Sequence, residues 1–244
     1  STMEQLQKLK EIIKNSNNIV FFGGAGVSTE SNIPDFRSDT GLYKQKKYGY
    51  NAEEILSRTF FNNHKDIFYK FYFDEMLHPN ARPNKAHLAL ATLEKEGKLR
   101  AVITQNIDGL HQDAGSKNVI ELHGSVRRNH CIKCRGFYNE EEMIKYQGIC
   151  PVCGSYIKPD VVLYEESLND NVVDKAIYYI STCDVLIVGG TSLSVYPAAS
   201  FIRYFKGKYL ILINRDKTSY DDYASIVIHD SIGRVLESVI NQKM

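Results

Sequence analysis

A glycine-rich turn placed directly after an apolar strand constrains the fold of this chain more than any other feature. The strand is predicted at 18–23, and the turn follows at Gly24–Ser28 (GAGVS). A strand ending in such a turn presents backbone N–H groups and a helix N-terminus, whose partial positive charge favours phosphate. The turn therefore predicts a dinucleotide site. Similar glycines also occur in purely structural turns, and the third glycine of the usual dinucleotide fingerprint is missing, which disfavours a standard dehydrogenase.

Apolar strands alternate with helical patterns along the rest of the chain. Further strands are predicted at 100–104, 119–122, 161–163, 184–189, 209–213 and 226–228. Helices are predicted at 4–15, 64–76, 84–96, 170–181, 197–206 and 233–242. Strands that are apolar on both sides belong in a parallel sheet covered by helices, so an α/β fold is expected. Residues 38–62 are polar and mixed, and little regular structure is expected there.

Composition narrows the class of protein. A chain of 244 residues suits one large domain, or one domain with a small insert. Its 30 basic residues balance 29 acidic ones, so bulk charge gives no reason to expect binding to nucleic acid or to a membrane surface. The apolar stretches are only as long as strands, and the start of the chain has no signal-peptide pattern. A cytoplasmic location is therefore expected.

Four of the five cysteines form two close pairs. Cys131 and Cys134 make one C-x-x-C pair, Cys150 and Cys153 make the other, and fifteen residues separate the pairs. This spacing predicts a zinc ribbon in which four thiolates fill the coordination sphere, so the metal would be structural. Four unrelated thiols, or a ligand role for His130, are the alternatives. Cys183 precedes a buried strand and is interpreted as a core residue.

Polar side chains follow several of the predicted strands. They occur at Thr104–Asp108, His123, Gly190–Ser192 and Asn214. Because ligands of parallel sheets bind at the carboxyl ends of the strands, these segments are expected to converge on one site. His123 is the natural proton acceptor among them near neutral pH. Each segment could instead be a capped turn, and the remaining histidines are interpreted as structural: His64, His78, His87, His111 and His229.

Together and in this order, these motifs resemble the sirtuin family of NAD-dependent protein deacylases, from about residue 4 to the C-terminus. The Ile33–Arg37 segment (IPDFR) adds to the resemblance. It implies a Rossmann-like NAD-binding domain and a small domain made of a helical insert and a zinc ribbon, with NAD and an acyl-lysine peptide meeting between them. The large domain would comprise 1–38, 81–127 and 159–244, and the small domain 39–80 and 128–158.

The resemblance also assigns roles to individual residues. His123 would be the general base, and the products would be free lysine, nicotinamide and O-acetyl-ADP-ribose. Val162 and Tyr164 would contact the acyl-lysine peptide. The residues assigned to NAD are Gly24, Ala25, Gly26, Thr29, Phe36, Arg37, Gln105, Asn106, Ile107, Asp108, Thr191, Ser192, Asn214 and Ile232.

Two departures from the family pattern concern the substrate. The family usually has Phe-Gly-Glu where this chain has Tyr164–Glu166 (YEE), which bears on peptide affinity. Relatives that prefer succinyl-lysine carry Tyr-x-x-Arg, whereas Tyr69 is followed at that spacing by Tyr72, so an acetyl or longer apolar acyl group is expected. Mono-ADP-ribosyl transfer by the same NAD cleavage is the alternative activity. A non-catalytic zinc module that binds nucleic acid or protein is a third hypothesis, and the balanced charge argues against it.

Overall fold

The computed structural model describes residues 2–35 and 47–240, and a six-stranded parallel sheet forms its centre. Within these residues the chain forms nine strands: β1 (Ile19–Gly23), β2 (Leu99–Thr104), β3 (Val119–Glu121), β4 (Gly124–Cys131), β5 (Phe137–Tyr138), β6 (Ile157–Val161), β7 (Val185–Gly189), β8 (Tyr209–Ile213) and β9 (Ile226–Ile228). The large sheet has the order β3-β2-β1-β7-β8-β9, and all of its pairs are parallel. The predicted α/β fold is confirmed.

The strand order reverses beside β1. The chain proceeds from β1 to β2 and β3 on one side, and then crosses to β7 on the other. Gly23 at the end of β1 is paired with Gly189 at the end of β7 and with Thr104 at the end of β2. Ligands of open parallel sheets bind at such a switch point, so the fold itself places a site beyond these three residues.

Helices cover both faces of the sheet. Among the described residues they are α1 (Met3–Lys14), α2 (Ala52–Ile55), α3 (Arg58–Asn63), α4 (Lys65–Phe71), α5 (Lys85–Lys95), α6 (Leu110–Asp113), α7 (Glu140–Tyr146), α8 (Asp170–Thr182) and α9 (Ile232–Ile240). One buried core lies between the sheet and α1, α5 and α9. A second core lies on the opposite face, beneath α8 and the 3₁₀ segment Ala198–Tyr204. The α5 helix begins as predicted after Asn84, whose side chain accepts a hydrogen bond from the Ala86 N–H (2.9 Å).

A third core holds the smaller part of the molecule together. An antiparallel sheet of order β5-β4-β6 forms its base. Phe61, Phe68 and Tyr72 of the helical insert pack in the same buried cluster as Met143 and Ile157 of the cysteine-containing segment. Two segments that are distant in sequence thus share one core, and the domain boundaries given above stay a prediction.

Two local predictions were wrong. Residues 52–63 form α2 and α3, although little regular structure is expected there from the sequence. The side chains of Asn51 and Ser57 cap the two helices, and buried Ile55 and Phe61 pack them into the third core. The strand predicted at 161–163 is instead β6, which ends at Val161 and pairs antiparallel with β4. None of the helices in the described part of the chain has the length and apolar character needed to cross a membrane.

Candidate active-site cleft

A cleft of about 300 Å³ opens where the strand ends of the large sheet face the smaller part of the molecule. On one side lies the rim, which we define as the turns 24–29, 104–108 and 190–192 together with Asn214. On the other side lies the insert wall, which consists of Ala52, Leu56, Met76, Val126 and Glu140. His123 and the 161–166 segment also line the cleft.

Two glycine turns of the rim pack directly against each other. The Gly26 N–H donates to the Gly190 carbonyl oxygen (2.7 Å). A Cβ atom on Gly26 would lie 2.7 Å from the Gly190 Cα atom, and Gly190 itself has φ +62°. Both positions therefore require glycine, one for close approach and the other for left-handed backbone. Since the Gly26 N–H already has an acceptor in Gly190, it is not available to bind a phosphate.

A hydrogen-bonded network joins the first turn to the second. The Ser28 hydroxyl donates to the Asp108 carboxylate (2.6 Å) and accepts from the Asn106 amide (3.3 Å). The same Asn106 amide also donates to the Gly24 carbonyl (2.9 Å). Ser28 is almost fully buried and lines the cleft, yet it was not assigned as a site residue from sequence. Its position four residues after Gly24, in the turn itself, was the available signal.

Two buried histidines support this network from beneath. The His87 Nδ1 atom accepts from the Asn84 N–H (3.0 Å), so Nε2 carries the proton and donates to the Ser28 hydroxyl (3.3 Å). The His87 ring packs edge-on against His111, with 4.8 Å between ring centroids. Burial lowers the pKa of both imidazoles, that of His111 to about 3, so both are neutral at pH 7. His87 was interpreted as structural, and it does contact a residue of the cleft.

His123 lies in the tight turn between β3 and β4. Its Nδ1 atom is 2.9 Å from the Gln105 carbonyl oxygen. A carbonyl can only accept, so Nδ1 carries the proton and the lone pair of the neutral ring is on Nε2. The turn needs glycine next, because Gly124 has φ +80° and a Cβ there would be 1.9 Å from the Asp160 carbonyl oxygen. The turn and the hydrogen bond to Gln105 thus hold the imidazole in the lining of the cleft.

The far end of the rim contains an unsatisfied amide. The Asn214 Oδ1 atom accepts from the Thr191 N–H (2.8 Å), whereas its buried Nδ2 has no hydrogen-bond partner among the described residues. Thr191 in turn accepts from the Gln105 side chain (3.1 Å). A buried donor without an acceptor is costly, and a bound polar ligand would satisfy it. Nearby, Ile232 begins α9 and packs over Gly189. A Cβ atom on Gly189 would lie 2.5 Å from the Ile232 Cδ1 atom.

The 161–166 segment bridges the two sides of the cleft. The Val162 N–H donates to the His123 carbonyl (2.9 Å). Tyr164 pairs on both its backbone groups with the helical insert, donating to the Leu56 carbonyl and accepting from the Arg58 N–H. Its backbone N–H and carbonyl are thus already hydrogen-bonded, and Tyr164 also lines the cleft.

Glu165 holds this segment against α3. It has φ +76°, a conformation that favours glycine. Its carboxylate accepts from the Thr59 N–H (2.8 Å) and the Thr59 hydroxyl (3.1 Å), and the backbone hydrogen bond lowers the pKa of Glu165. Glu165, which stands where the family usually has glycine, therefore holds the segment to α3 through its own side chain.

The four paired cysteines converge as predicted. Their sulfur atoms all lie within 4.8 Å of one another, with 3.3 Å between Cys131 and Cys153 and 3.7 Å between Cys134 and Cys150. Thiolates around a tetrahedral zinc ion are about 3.8 Å apart, so the donor set fits zinc. His130 instead contacts the Asp160 carboxylate (2.9 Å) and lies outside this cluster. Cys183 is buried and donates to the Ile180 carbonyl.

The other assigned residues divide into three groups. Those that line the cleft are Ala25, Gln105, Asn106, Ile107, Asp108, His123, Val162 and Tyr164. Those found beside it along the strand ends are Gly24, Gly26, Thr29, Thr191, Ser192, Asn214 and Ile232. Phe36 and Arg37 lie outside the described residues. The insert wall was missed because its side chains carry no motif and meet only in the tertiary structure.

Comparisons with known proteins agree with this architecture. The profile of the Sir2 family matches residues 24–197. A Clostridium acetobutylicum protein named NAD-dependent protein deacetylase is 57% identical over 242 residues, which cover 98% of this chain and 99% of that protein. A structure from work on the mechanism and regulation of Sir2 enzymes has a TM-score of 0.88 at 38% identity and covers 98% of each chain. A Sir2 structure with a deacetylated p53 peptide and 3′-O-acetyl ADP ribose has a TM-score of 0.86 at 36% identity, covering 97% of this chain and 98% of that one.

Proposed function

Because the chain belongs to the Sir2 family, we propose that it is an NAD-dependent protein lysine deacetylase in which His123 acts as the general base. The observation that carries the role of His123 is its hydrogen bond to the Gln105 carbonyl, which leaves the lone pair of the neutral ring on Nε2. A general base must present such a lone pair to the proton that it removes. Its place between the rim and the 161–166 segment puts it where cofactor and peptide would meet.

The rim suits NAD in its shape and in its donors. The glycine turn after β1 opens the short helix Ala25–Val27, the kind of strand-to-helix turn that favours phosphate, and the unsatisfied Asn214 amide offers a hydrogen bond to the adenosine half. Asn106 and Asp108, fixed by Ser28, are suited to hydrogen-bond a carboxamide. When bound, NAD supplies a bond from nicotinamide to ribose whose cleavage leaves ADP-ribose to receive the acyl group.

The protein contributes position and proton transfer. The acyl oxygen of a lysine amide is a weak nucleophile, so the cleft must hold it close to the ribose and in line. Val162 is tied to His123 through the backbone, and this contact aligns the peptide-binding segment with the base. Help from His123 in removing a hydroxyl proton is worth roughly a hundred- to ten-thousand-fold in rate. The cysteine site lies outside the cleft lining, so zinc has a structural role.

Nicotinamide release from an acetyl-lysine peptide, with and without NAD, tests the function directly. The wild-type protein should release nicotinamide and deacetylate the peptide only when NAD is present. A His123→Ala variant should retain the NAD-dependent thermal shift and lose at least about 99% of turnover. A His64→Ala variant, whose ring is exposed and outside the cleft lining, should turn over normally. Undiminished deacetylation by His123→Ala would reject the role of the base.

The mass of the products separates deacetylation from mono-ADP-ribosyl transfer. Deacetylation yields acetyl-ADP-ribose, whereas the alternative yields an ADP-ribosylated protein. The name of the C. acetobutylicum relative and the acetyl ADP ribose bound in a similar Sir2 structure both favour deacetylation. The lack of direct nucleic-acid binding stays a prediction from the balanced charge of the chain, and a cytoplasmic location stays a prediction from its sequence pattern.

A further inference from the structure

One charged side chain of the insert wall has no function in the mechanism above. Glu140 lines the cleft as the first residue of α7, and its side chain is only 17% exposed. The other residues of the insert wall are apolar, although Glu53 and His78 also line the cleft. A carboxylate in such surroundings loses hydration and is costly unless it is paired. Its presence in the wall of a substrate cleft therefore needs an explanation.

The described residues do not fully pair this carboxylate. Its ion-pair contact is with Arg127 Nε at 3.8 Å, which is beyond hydrogen-bond distance. The Arg127 guanidinium is committed elsewhere, because its two terminal nitrogens bond both oxygens of Asp113. The nearby Tyr72 hydroxyl is buried and makes no hydrogen bond to it within the described part of the chain. Burial raises the pKa of Glu140, Arg127 lowers it, and Asp113 and Asp108 raise it.

The substrate's acyl group would lie against this wall. In the proposed function the lysine lies beside His123 and the 161–166 segment, and the cofactor lies on the rim. The insert wall adjoins that segment, because the Leu56 carbonyl accepts from the Tyr164 N–H, so we expect the acyl chain to lie against it. We propose that Glu140 selects the acyl group, accepting a hydrogen bond from a hydroxyl on a short hydroxyacyl chain and repelling an acyl chain that ends in a carboxylate. This inference rests on the proposed deacylase function and makes its substrate class more specific.

The wall thereby differs from a purely apolar acyl pocket. A hydroxyl that reaches Glu140 gains a hydrogen bond to a charged acceptor, which is stronger than one between neutral groups. The unsubstituted chain of equal length offers this partly buried carboxylate no hydrogen bond. A succinyl chain would bring a further negative charge beside Glu140, Asp108 and Asp113, with only Arg127 of the described contacts to offset it.

Matched acyl peptides test this assignment. The substrates are acyl forms of one lysine peptide. Two matched pairs differ by one hydroxyl, propionyl with lactyl and butyryl with 3-hydroxybutyryl, and acetyl and succinyl forms complete the set. For each peptide, kcat/KM is measured relative to the acetyl peptide. The wild-type protein should favour the hydroxylated member of at least one pair by about fivefold or more. Glu140→Leu should abolish that preference. Glu140→Gln, which keeps an acceptor oxygen but no charge, should retain part of the preference and remove the succinyl group from the peptide faster than wild type, again by transfer to ADP-ribose.

Glu141→Gln is the matched control, because Glu141 is exposed on the same helix and does not line the cleft. It should behave as wild type on every peptide. Equal wild-type rates within both pairs, or a preference that survives Glu140→Leu, would overturn the assignment of Glu140. If Glu140→Leu does not fold, an unchanged acyl profile in Glu140→Gln would overturn it equally. Failure of the wild-type protein on the acetyl peptide would instead overturn the proposed function.

Discussion

The rim and the insert wall are assembled in opposite ways. Every part of the rim follows the end of a parallel strand by a few residues, as Asn106 follows β2 and Asn214 follows β8. The insert wall combines Leu56 and Met76 of the helical insert with Val126 and Glu140 of the ribbon side. The sheet backbone therefore dictates the positions of the rim, whereas side-chain packing in the third core dictates those of the wall.

This difference predicts that the two sides of the cleft can be damaged separately. Changes on the rim should alter the use of NAD, and changes on the wall side should alter the use of the peptide. A variant that alters both equally would show that the two sides are energetically coupled.

Removal of zinc should have the largest effect. Zinc binding to structural sites contributes about 10–16 kcal/mol of apparent free energy, and the third core contains Cys131 and Cys150. Cys150→Ala should lose bound zinc and reduce peptide deacetylation by about 100-fold or more, while an NAD-dependent thermal shift of the sheet region persists. Cys183→Ala, a buried cysteine outside the cluster, should keep one zinc per chain. If the NAD-dependent thermal shift were lost together with zinc, the rim and the insert wall would not be independent of each other.

Asn214→Ala should affect NAD alone. The substitution removes the acceptor of the Thr191 N–H and the buried amide donor. We expect the KM for NAD to rise about tenfold, with the KM for the acetyl peptide unchanged. Steady-state kinetics with each substrate varied in turn would measure both constants. Asn171→Ala, on the exposed surface of α8, serves as the control. A rise in the KM for the peptide in Asn214→Ala would contradict the separation of the two sides.

A change at Glu165 tests the opposite case, in which the use of the peptide is altered and the use of NAD is not. Glu165→Ala removes the tether to Thr59 but keeps the left-handed backbone, so the KM for peptide should rise about three- to tenfold while the KM for NAD stays constant. Glu165→Gly should lose the same tether but melt about 3 °C higher than the alanine variant, because glycine tolerates that φ. Thr59→Val, which retains the backbone N–H, should show a smaller rise in KM. Equal Tm values for the alanine and glycine variants would argue against backbone strain.

The buried histidines beneath the rim should give the smallest effect, a pH dependence of stability. The folded pKa of His111 is about 3, below its ordinary value of about 6.5, because burial favours the neutral ring. Its contribution to stability is therefore complete above pH 6.5 and is lost as the pH falls. Because of His111, the free energy of unfolding should drop by about 1 kcal/mol between pH 7 and pH 5.5.

Denaturant titrations at several pH values would measure this slope. His111→Leu should flatten it, and His64→Leu, at an exposed ring, should not. A slope that is the same in wild type and His111→Leu would show that other groups cause the acid sensitivity.

Much of the rim could be predicted because its signals are local. The apolar strands, the glycine turn and the polar residues that follow β2 and β8 appear within short windows of sequence. The paired cysteines are equally local, since C-x-x-C spacing suffices to indicate a zinc ligand pair. Ser28 and His87 show the limit of such reasoning, because their hydrogen bond joins two segments that no spacing rule connects.

The sequence by itself determined the α/β fold, the zinc ligands and the strand ends where a nucleotide would bind, because periodicity and turn chemistry act over a few residues. Only the tertiary structure decided that α2 and α3 form, that Glu165 tethers the 161–166 segment, and that Glu140 lies in the wall of the cleft. These features depend on packing between segments that are distant along the chain. A short stretch of sequence carries no information about such contacts, so it cannot predict them.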